Sequence, residues 1–379
     1  MKIPIKQGLL RNRRHIYMTM DLSTSCDIHC VQCFREILTP KPIKTGLEQI
    51  RVLEREVFPF LKWLSLSCTG EPLYLKNFPE ALSAAKRAGV PFIRIQSNGT
   101  HLDEERSRML IEGGLNYLGI SLDASTRETF EKIRAGASWD SVIGNIKDFV
   151  RIRKANPTGL PQLGFNFTLM KQNADEAVDF IGLAKELGAD VLSFSHFFIE
   201  SWEMRDWSLI YDPPRANALY ARLRSEAARV GIRTLVPEDL PERIQPFVHR
   251  DLENPCYRGK CASALESWMF LMPDGDCFPC LNLQDRGPIG NVFETPFSEI
   301  WYGARNQRFR KQALKGIVEG CDQCKFFAFT ADLSNEGTYL AKRLTTRSAA
   351  EMDYHDHSEK IPNRSPSQSQ ALKTVGLTE

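Results

Sequence analysis

Three cysteines fall within eight residues near the start of the chain: Cys26, Cys30 and Cys33, in the stretch STSCDIHCVQCFRE. Thiolates are soft ligands, suited to zinc or to iron–sulfur clusters. Structural zinc closes its shell with four ligands, and no fourth Cys or His completes this set. His29 lies inside the loop, where its flanking geometry would strain a tetrahedron. Three thiolates on a four-iron cluster leave one iron open to a further ligand. Cys68 stands alone, and a second group follows far downstream: Cys256, Cys261, Cys277, Cys280, Cys321 and Cys324. It contains the pairs CFPC and CDQC, and two C-x2-C pairs about forty residues apart also read as a zinc ribbon.

These residues need a frame. Apolar, β-branched or aromatic runs occur at IYMTMDL (16–22), WLSLSC (63–68), FIRIQS (92–97), YLGISLD (117–123), LGFNFTLM (163–170) and VLSFSHFF (191–198). Helical periodicities lie between them, several ending at glycine, as in KRAG, EGG and ELG. Alternating units of this kind predict a parallel sheet with crossover helices, and functional groups then gather at the C-terminal strand ends. The first cysteine loop follows the first strand. The expected organisation is a lead-in over 1–15, strand–helix units over 16–200, a helical connector over 201–250, and a cysteine-rich module over 251–330. A C-terminal helix and a polar, disordered tail occupy 331–379. His355 and His357 belong to that tail and are read as solvated.

Composition narrows the function classes. The chain has 379 residues, 42% hydrophobic and 25% charged, with a net charge of +2. That balance gives no electrostatic footprint for nucleic acid, and Arg11, Arg13 and Arg14 read as a solvated lead-in. No apolar run approaches the ~18 residues of a membrane span, and the N-terminus lacks the pattern of a signal peptide. The expected compartment is the cytoplasm, with no membrane partner. Ten cysteines there point to metal or catalysis rather than disulfides.

The loop C-x3-C-x2-C resembles the signature of the radical S-adenosylmethionine (SAM) superfamily. The resemblance implies a [4Fe–4S] cluster on Cys26, Cys30 and Cys33 whose open iron chelates SAM. Reductive cleavage of SAM then gives a 5′-deoxyadenosyl radical that takes a hydrogen atom from substrate. Gln32 precedes the third cysteine where an aromatic is frequent, and Phe34 follows it as the residue to pack on adenine. Three further stretches are similar to the family pattern, in order and each at a strand end. CTGEPL places Thr69, Gly70, Glu71 and Pro72 at the SAM ammonium, and QSNGT places Ser97 and Asn98 at its carboxylate or ribose. SLDAS places Ser121 and Asp123 at the ribose, and Asn166 and Thr168 face the interior from the fifth strand. The fold implied is an α/β partial (β/α)6 TIM-like barrel with a small cysteine-rich C-terminal auxiliary-cluster domain.

The downstream stretch, with its PDG…PC hairpin, IGN turn, EIW helix and closing C-x2-C, resembles the SPASM/twitch extension of such enzymes. No cysteine follows Cys324, which favours the twitch form with one auxiliary [4Fe–4S] cluster on Cys261, Cys280, Cys321 and Cys324. Cys256 is an alternative ligand. Cys68, Cys256 and Cys277 are either buried small hydrophobes or hydrogen-atom donors of the kind an epimerase needs. Only 25 residues precede Cys26, leaving no N-terminal peptide-recognition domain. That favours a small-molecule substrate (a sugar, aminocyclitol or other metabolite) undergoing oxidation or epimerisation. His196, Glu200, Glu203 and Arg205 stand near the expected pocket mouth. The alternatives are a ribosomal-peptide maturase and, from another class, a non-catalytic zinc-binding α/β protein. The expected protein partner is a reductant such as flavodoxin or ferredoxin.

Overall fold

A computed structural model describes residues 14–33, 35, 42–197, 202–240, 268–280 and 287–315. Its frame is a ten-stranded sheet. The six expected strands are β1 (Ile16–Met20), β3 (Leu61–Ser65), β4 (Phe92–Ser97), β5 (Tyr117–Ser121), β7 (Gln162–Leu169) and β8 (Val191–His196), with β2 (His29–Cys30) and β6 (Arg134–Ala135) forming a separate pair. All six main strands run parallel to their neighbours in the order β1-β3-β4-β5-β7-β8.

Two additions to this sheet were not expected. β9 (Arg233–Leu235) extends the sheet beyond β8, from within the stretch read as a helical connector. On the other flank, β10 (Trp268–Leu271) pairs in parallel with β1 and continues into antiparallel β11 (Asp276–Phe278) and β12 (Gly290–Asn291). The cysteine-rich region therefore adds strands to the same sheet. Among the described residues the sheet ends in two edges, β9 and β12, and does not close on itself.

Helices return the chain between strands: α1 (Leu47–Glu56), α2 (Phe78–Arg87), α3 (Glu104–Glu112), α4 (Arg127–Ile133), α5 (Trp139–Lys154), α6 (Asp179–Glu186) and α7 (Pro213–Val230). Local chemistry sets their ends. Asp103 and Thr126 accept from the first-turn amides of Arg106 and Thr129, and Gly231 closes α7 in the left-handed region. Two shorter helices, α8 (Phe297–Tyr302) and α9 (Ala304–Lys315), follow β12.

Alternation splits the strands. Ile16, Met18, Leu64, Ile93, Ile95, Leu118, Phe165 and Leu192 are fully buried in one core with helix residues such as Ile50, Phe78, Phe149 and Phe180. At roughly 25 cal/mol per Å2, this face supplies the main driving force. The opposite, concave face carries the other set. Register aligns Trp268, Tyr17, Trp63 and Phe92 in one row across four strands, with Tyr17 and Trp268 stacked at 5.7 Å and Trp63 and Phe92 at 6.4 Å. These rings fill the N-terminal end of the concave face. Above them Tyr117 lies across β7, where a Cβ on Gly164 would stand 1.8 Å from its hydroxyl. Only glycine leaves that room.

Candidate active site

At the opposite, C-terminal end, the concave residues turn polar. Gln96 donates to Ser121 Oγ (2.8 Å) and accepts from Asn166 Nδ2 (3.0 Å), linking β4, β5 and β7. All three side chains are half-buried. They form the wall on which the loops beyond the strands stand.

The cysteine loop is the first of these. Thr24 bonds to Ile43 and Thr45 to Leu22, while Ile28 is buried as the loop's apolar anchor. β2 then pairs antiparallel with β6, matching His29 to Ala135 and Cys30 to Arg134. Val31 N donates to Ile133 O (3.0 Å). The three thiols are half-buried, and Cys26 and Cys30 pack on the core. Asn98 Nδ2 lies 3.8 Å from Cys26 Sγ, and Arg134 Nη1 lies 3.6 Å from Cys30 Sγ. Burial pushes the Cys26 thiol up to about 11 and raises Cys30, with Arg134 acting against the rise at Cys30.

Among the described residues no three His, Cys, Asp or Glu side chains are close enough together to hold one metal ion. The loop's fit to an iron–sulfur cluster is therefore one of donor type and surroundings. Three soft thiols share one loop, with an N–H donor near each of two sulfurs. Gln32 Oε1 and Arg134 Nε are buried beside it without a hydrogen-bond partner among the described residues.

The second loop, Cys68 to Leu73, is held by a residue that sequence reading passed over. Asp21, one position beyond β1, is 2% exposed. Its carboxylate accepts from Cys68 N (2.7 Å), Thr69 N (2.8 Å) and Thr69 Oγ1 (2.5 Å), with Gly70 N at 3.4 Å. Burial raises its pKa and these donors oppose the rise. The loop also lies against the cysteine loop. Glu71 N donates to Ser25 O (2.9 Å), and a Cβ on Gly70 would fall 2.1 Å from Ser23 O and 2.8 Å from Ser25 O.

Glu71 ties this loop to β4. Its carboxylate accepts from Leu73 N (3.0 Å), Ser97 Oγ (2.8 Å) and Asn98 N (2.7 Å), and burial pushes its pKa up to about 7. Pro72 opens the turn that follows and is buried. Asn98 turns its amide toward Asp27 Oδ1 (2.8 Å), and Thr100 Oγ1 donates to Asp27 Oδ2 (2.6 Å). Residues from three loops thus interlock behind Cys26.

A fourth loop follows β5. Asp123 is fully buried at φ 60°, a conformation rare for a residue with a side chain. Its Oδ2 pairs with Arg134 and accepts from Gln32 Nε2 (2.9 Å), while Oδ1 accepts from Thr168 N (2.6 Å). Asn173 Nδ2 holds the Asp123 carbonyl at 2.9 Å. Glu176 collects Ser125 N (2.7 Å), Thr126 Oγ1 (2.7 Å) and Thr129 Oγ1, fixing the start of α4.

Thr69, Gly70, Glu71, Pro72, Ser97, Asn98, Ser121, Asp123, Asn166 and Thr168 therefore stand together with the three cysteines at one end of the sheet. Phe34 lies outside the described residues, as do Cys256, Cys261, Cys321, Cys324 and Glu200. Glu203 and Arg205 fall on a short 3-10 turn (Trp202–Trp207). His196 is paired in register with buried Leu169 and turns to the helix side, its Nδ1 3.0 Å from Tyr220 Oη on α7; burial lowers its pKa to about 4. Cys68 is half-buried on its loop, whereas Cys277 is fully buried within the core on β11. Cys280 follows β11, which runs back antiparallel to β10, so it lies toward the aromatic end of the sheet, away from Cys26. Motif reading missed Asp21, Asp27, Arg134, Asn173 and Glu176. A signal existed for two of them, an acidic residue directly after a strand (Asp21) and an arginine closing a helix (Arg134).

A family model described as the radical SAM superfamily matches residues 20–206, and one for SPASM, an iron–sulfur cluster-binding domain, matches residues 261–325. A probable GTP 3′,8-cyclase of Metallosphaera sedula is 30% identical over 279 residues, covering 71% of this chain and 81% of the relative. The PqqA peptide cyclase of Streptomyces rochei is 26% identical over 295 residues, covering 76% of each chain. Among solved structures, Streptococcus suis SuiB bound to S-adenosylmethionine superposes with a TM-score of 0.60 at 16% identity, over 79% of this chain and 69% of that one.

Proposed function

This chain belongs to the radical SAM superfamily and carries a SPASM iron–sulfur domain, and on that premise we propose that it uses SAM-derived radical chemistry to modify a peptide. It is a radical SAM enzyme with a [4Fe–4S] cluster, SAM and an auxiliary iron–sulfur cluster as its cofactors. When bound, the cluster and SAM supply a 5′-deoxyadenosyl radical that removes a hydrogen atom from substrate. Cys26, Cys30 and Cys33 hold the cluster in this reading, and Cys261, Cys280, Cys321 and Cys324 hold the auxiliary one.

The observation that carries the reading is the interlock of the three loops. Asp21 and Glu71 each take their donors from the backbone or from Ser97 and Thr69. They act by fixing where Thr69, Gly70, Ser97 and Asn98 present polar groups to SAM. Ser121, Asn166 and Thr168, all half-buried, would be the polar residues available to the ribose. Asp123, already ion-paired, orients Arg134. Of the candidate hydrogen-atom donors, Cys68 stands on the loop beside this end, while the burial of Cys277 suits packing.

Peptide substrate is supported by the PqqA peptide cyclase relative. A nucleotide or other small molecule is the second reading, favoured by the cyclase relative at 30% identity. Anaerobic protein with SAM and a strong reductant is expected to form 5′-deoxyadenosine, and Cys30→Ala to form none. Undiminished formation by Cys26→Ala, Cys30→Ala and Cys33→Ala would overturn the assignment. Coexpression with short peptides encoded beside its gene, read by mass, separates the substrates. Loss of two hydrogens from one peptide supports the first reading; turnover of GTP with every peptide unchanged supports the second.

A further inference from the structure

Arg134 is where the cysteine loop and the β5 loop meet. Its side chain is buried. Backbone pairing of Arg134 with Cys30 across β2 and β6 places the residue opposite that cysteine, and the ion pair with Asp123 holds its guanidinium there. One end of the guanidinium is 3.6 Å from Cys30 Sγ, and the other pairs with Asp123. Asp123 is in turn anchored by Thr168 N and Gln32 Nε2. A buried cation flanked by one carboxylate and one sulfur is a charge placed against a ligand atom. Net charge and hydrogen bonds to sulfur are among the levers that set iron–sulfur potentials, and groups behind metal ligands tune the metal.

We propose that Arg134 is a positioning residue that tunes the N-terminal cluster: its N–H donates to the Cys30 sulfur and its charge stabilises the reduced, more negative form, with Asp123 setting how much of that charge Cys30 feels. This rests on Cys26, Cys30 and Cys33 being the cluster ligands. The arrangement links the strand end carrying Asp123 to the cluster through one side chain. A change at the β5 loop is therefore transmitted as a change in potential.

The test is a redox titration followed by electron paramagnetic resonance on the full-length, iron-loaded protein without SAM. The signal of the triple variant Cys26→Ala, Cys30→Ala, Cys33→Ala is subtracted to isolate the N-terminal cluster. Arg134→Gln is expected to shift the midpoint to more negative potential, and Arg134→Lys to recover part of the shift. Asp123→Asn is expected to move it the opposite way, since the guanidinium then faces Cys30 without its counter-ion. A purely structural role would not give opposite signs. Equal potentials in wild type and Arg134→Gln at equal iron content would overturn the proposal. Should Arg134→Gln fail to hold iron, an Asp123→Asn midpoint at or below wild type overturns it instead. A triple variant that keeps the whole wild-type signal removes the ligand assignment and this proposal with it.

Discussion

Asp21→Asn isolates what holds the Cys68–Leu73 loop. The aspartate presents two oxygens: Oδ1 to Cys68 N and Thr69 N, Oδ2 to Thr69 N and Thr69 Oγ1. Asparagine keeps one acceptor. With its oxygen toward Cys68 N, its amide nitrogen faces the Thr69 N–H, donor against donor, while the Thr69 hydroxyl can turn to accept. Hydrogen bonds to a charged group contribute about 1.5–3 kcal/mol each. Relief of carboxylate burial, which raises the Asp21 pKa, offsets part of the loss. A net cost of about 2 kcal/mol remains, or roughly 30-fold in the population of the ordered loop. SAM affinity, measured by equilibrium binding to iron-loaded protein, should fall by up to that factor. Iron content should hold, because none of the proposed cluster ligands is touched. Wild-type affinity in Asp21→Asn would refute the reasoning, and so would loss of iron with unchanged thermal stability.

Gly70→Ala forces a Cβ to 2.1 Å from a backbone oxygen, so thermal unfolding should report a loss on the order of 3 kcal/mol; an unchanged melting temperature contradicts the close approach. His196 has a folded pKa lowered to about 4, so the unfolded chain binds the proton more readily between pH 6.5 and about 4. Its contribution is present above pH 6.5 and is lost as pH falls through that window, worth up to about 3 kcal/mol. Urea unfolding at the two ends of the window should show this slope, and His196→Asn should flatten it. Cys280→Ala should lower iron by one cluster while SAM cleavage persists; full iron retention would exclude Cys280 as a ligand.

Much of the frame was legible because period-2 apolar alternation survives wherever helices cover one face of a sheet, as in IYMTM and FIRIQS. β9 was not, since three residues at an edge owe their extended form to pairing with β8 rather than to any pattern of their own. Arg134 directly follows a helix that stops at Ile133. What pulls the next two residues into extended form is β2, over a hundred positions earlier, a contact no local pattern encodes. Asp21 was hidden similarly. Its partners lie 47 to 49 positions away, and motif reading sees the loop that is held, not the residue that holds it. His196 was placed at the mouth from its position alone. Register with buried Leu169 decides which face it takes.

The union of β10 with β1 bears on how this chain can be divided. A cut before Trp268 would strip β1 of its outer neighbour, baring a row of N–H and C=O groups at the root of the cysteine loop. It would also uncover one end of the ring stack at Tyr17. A shortened protein of residues 1–267 should consequently clump or misassemble rather than persist as a minimal enzyme. Grafting a different C-terminal region would succeed only if the donor brought a strand in matching register.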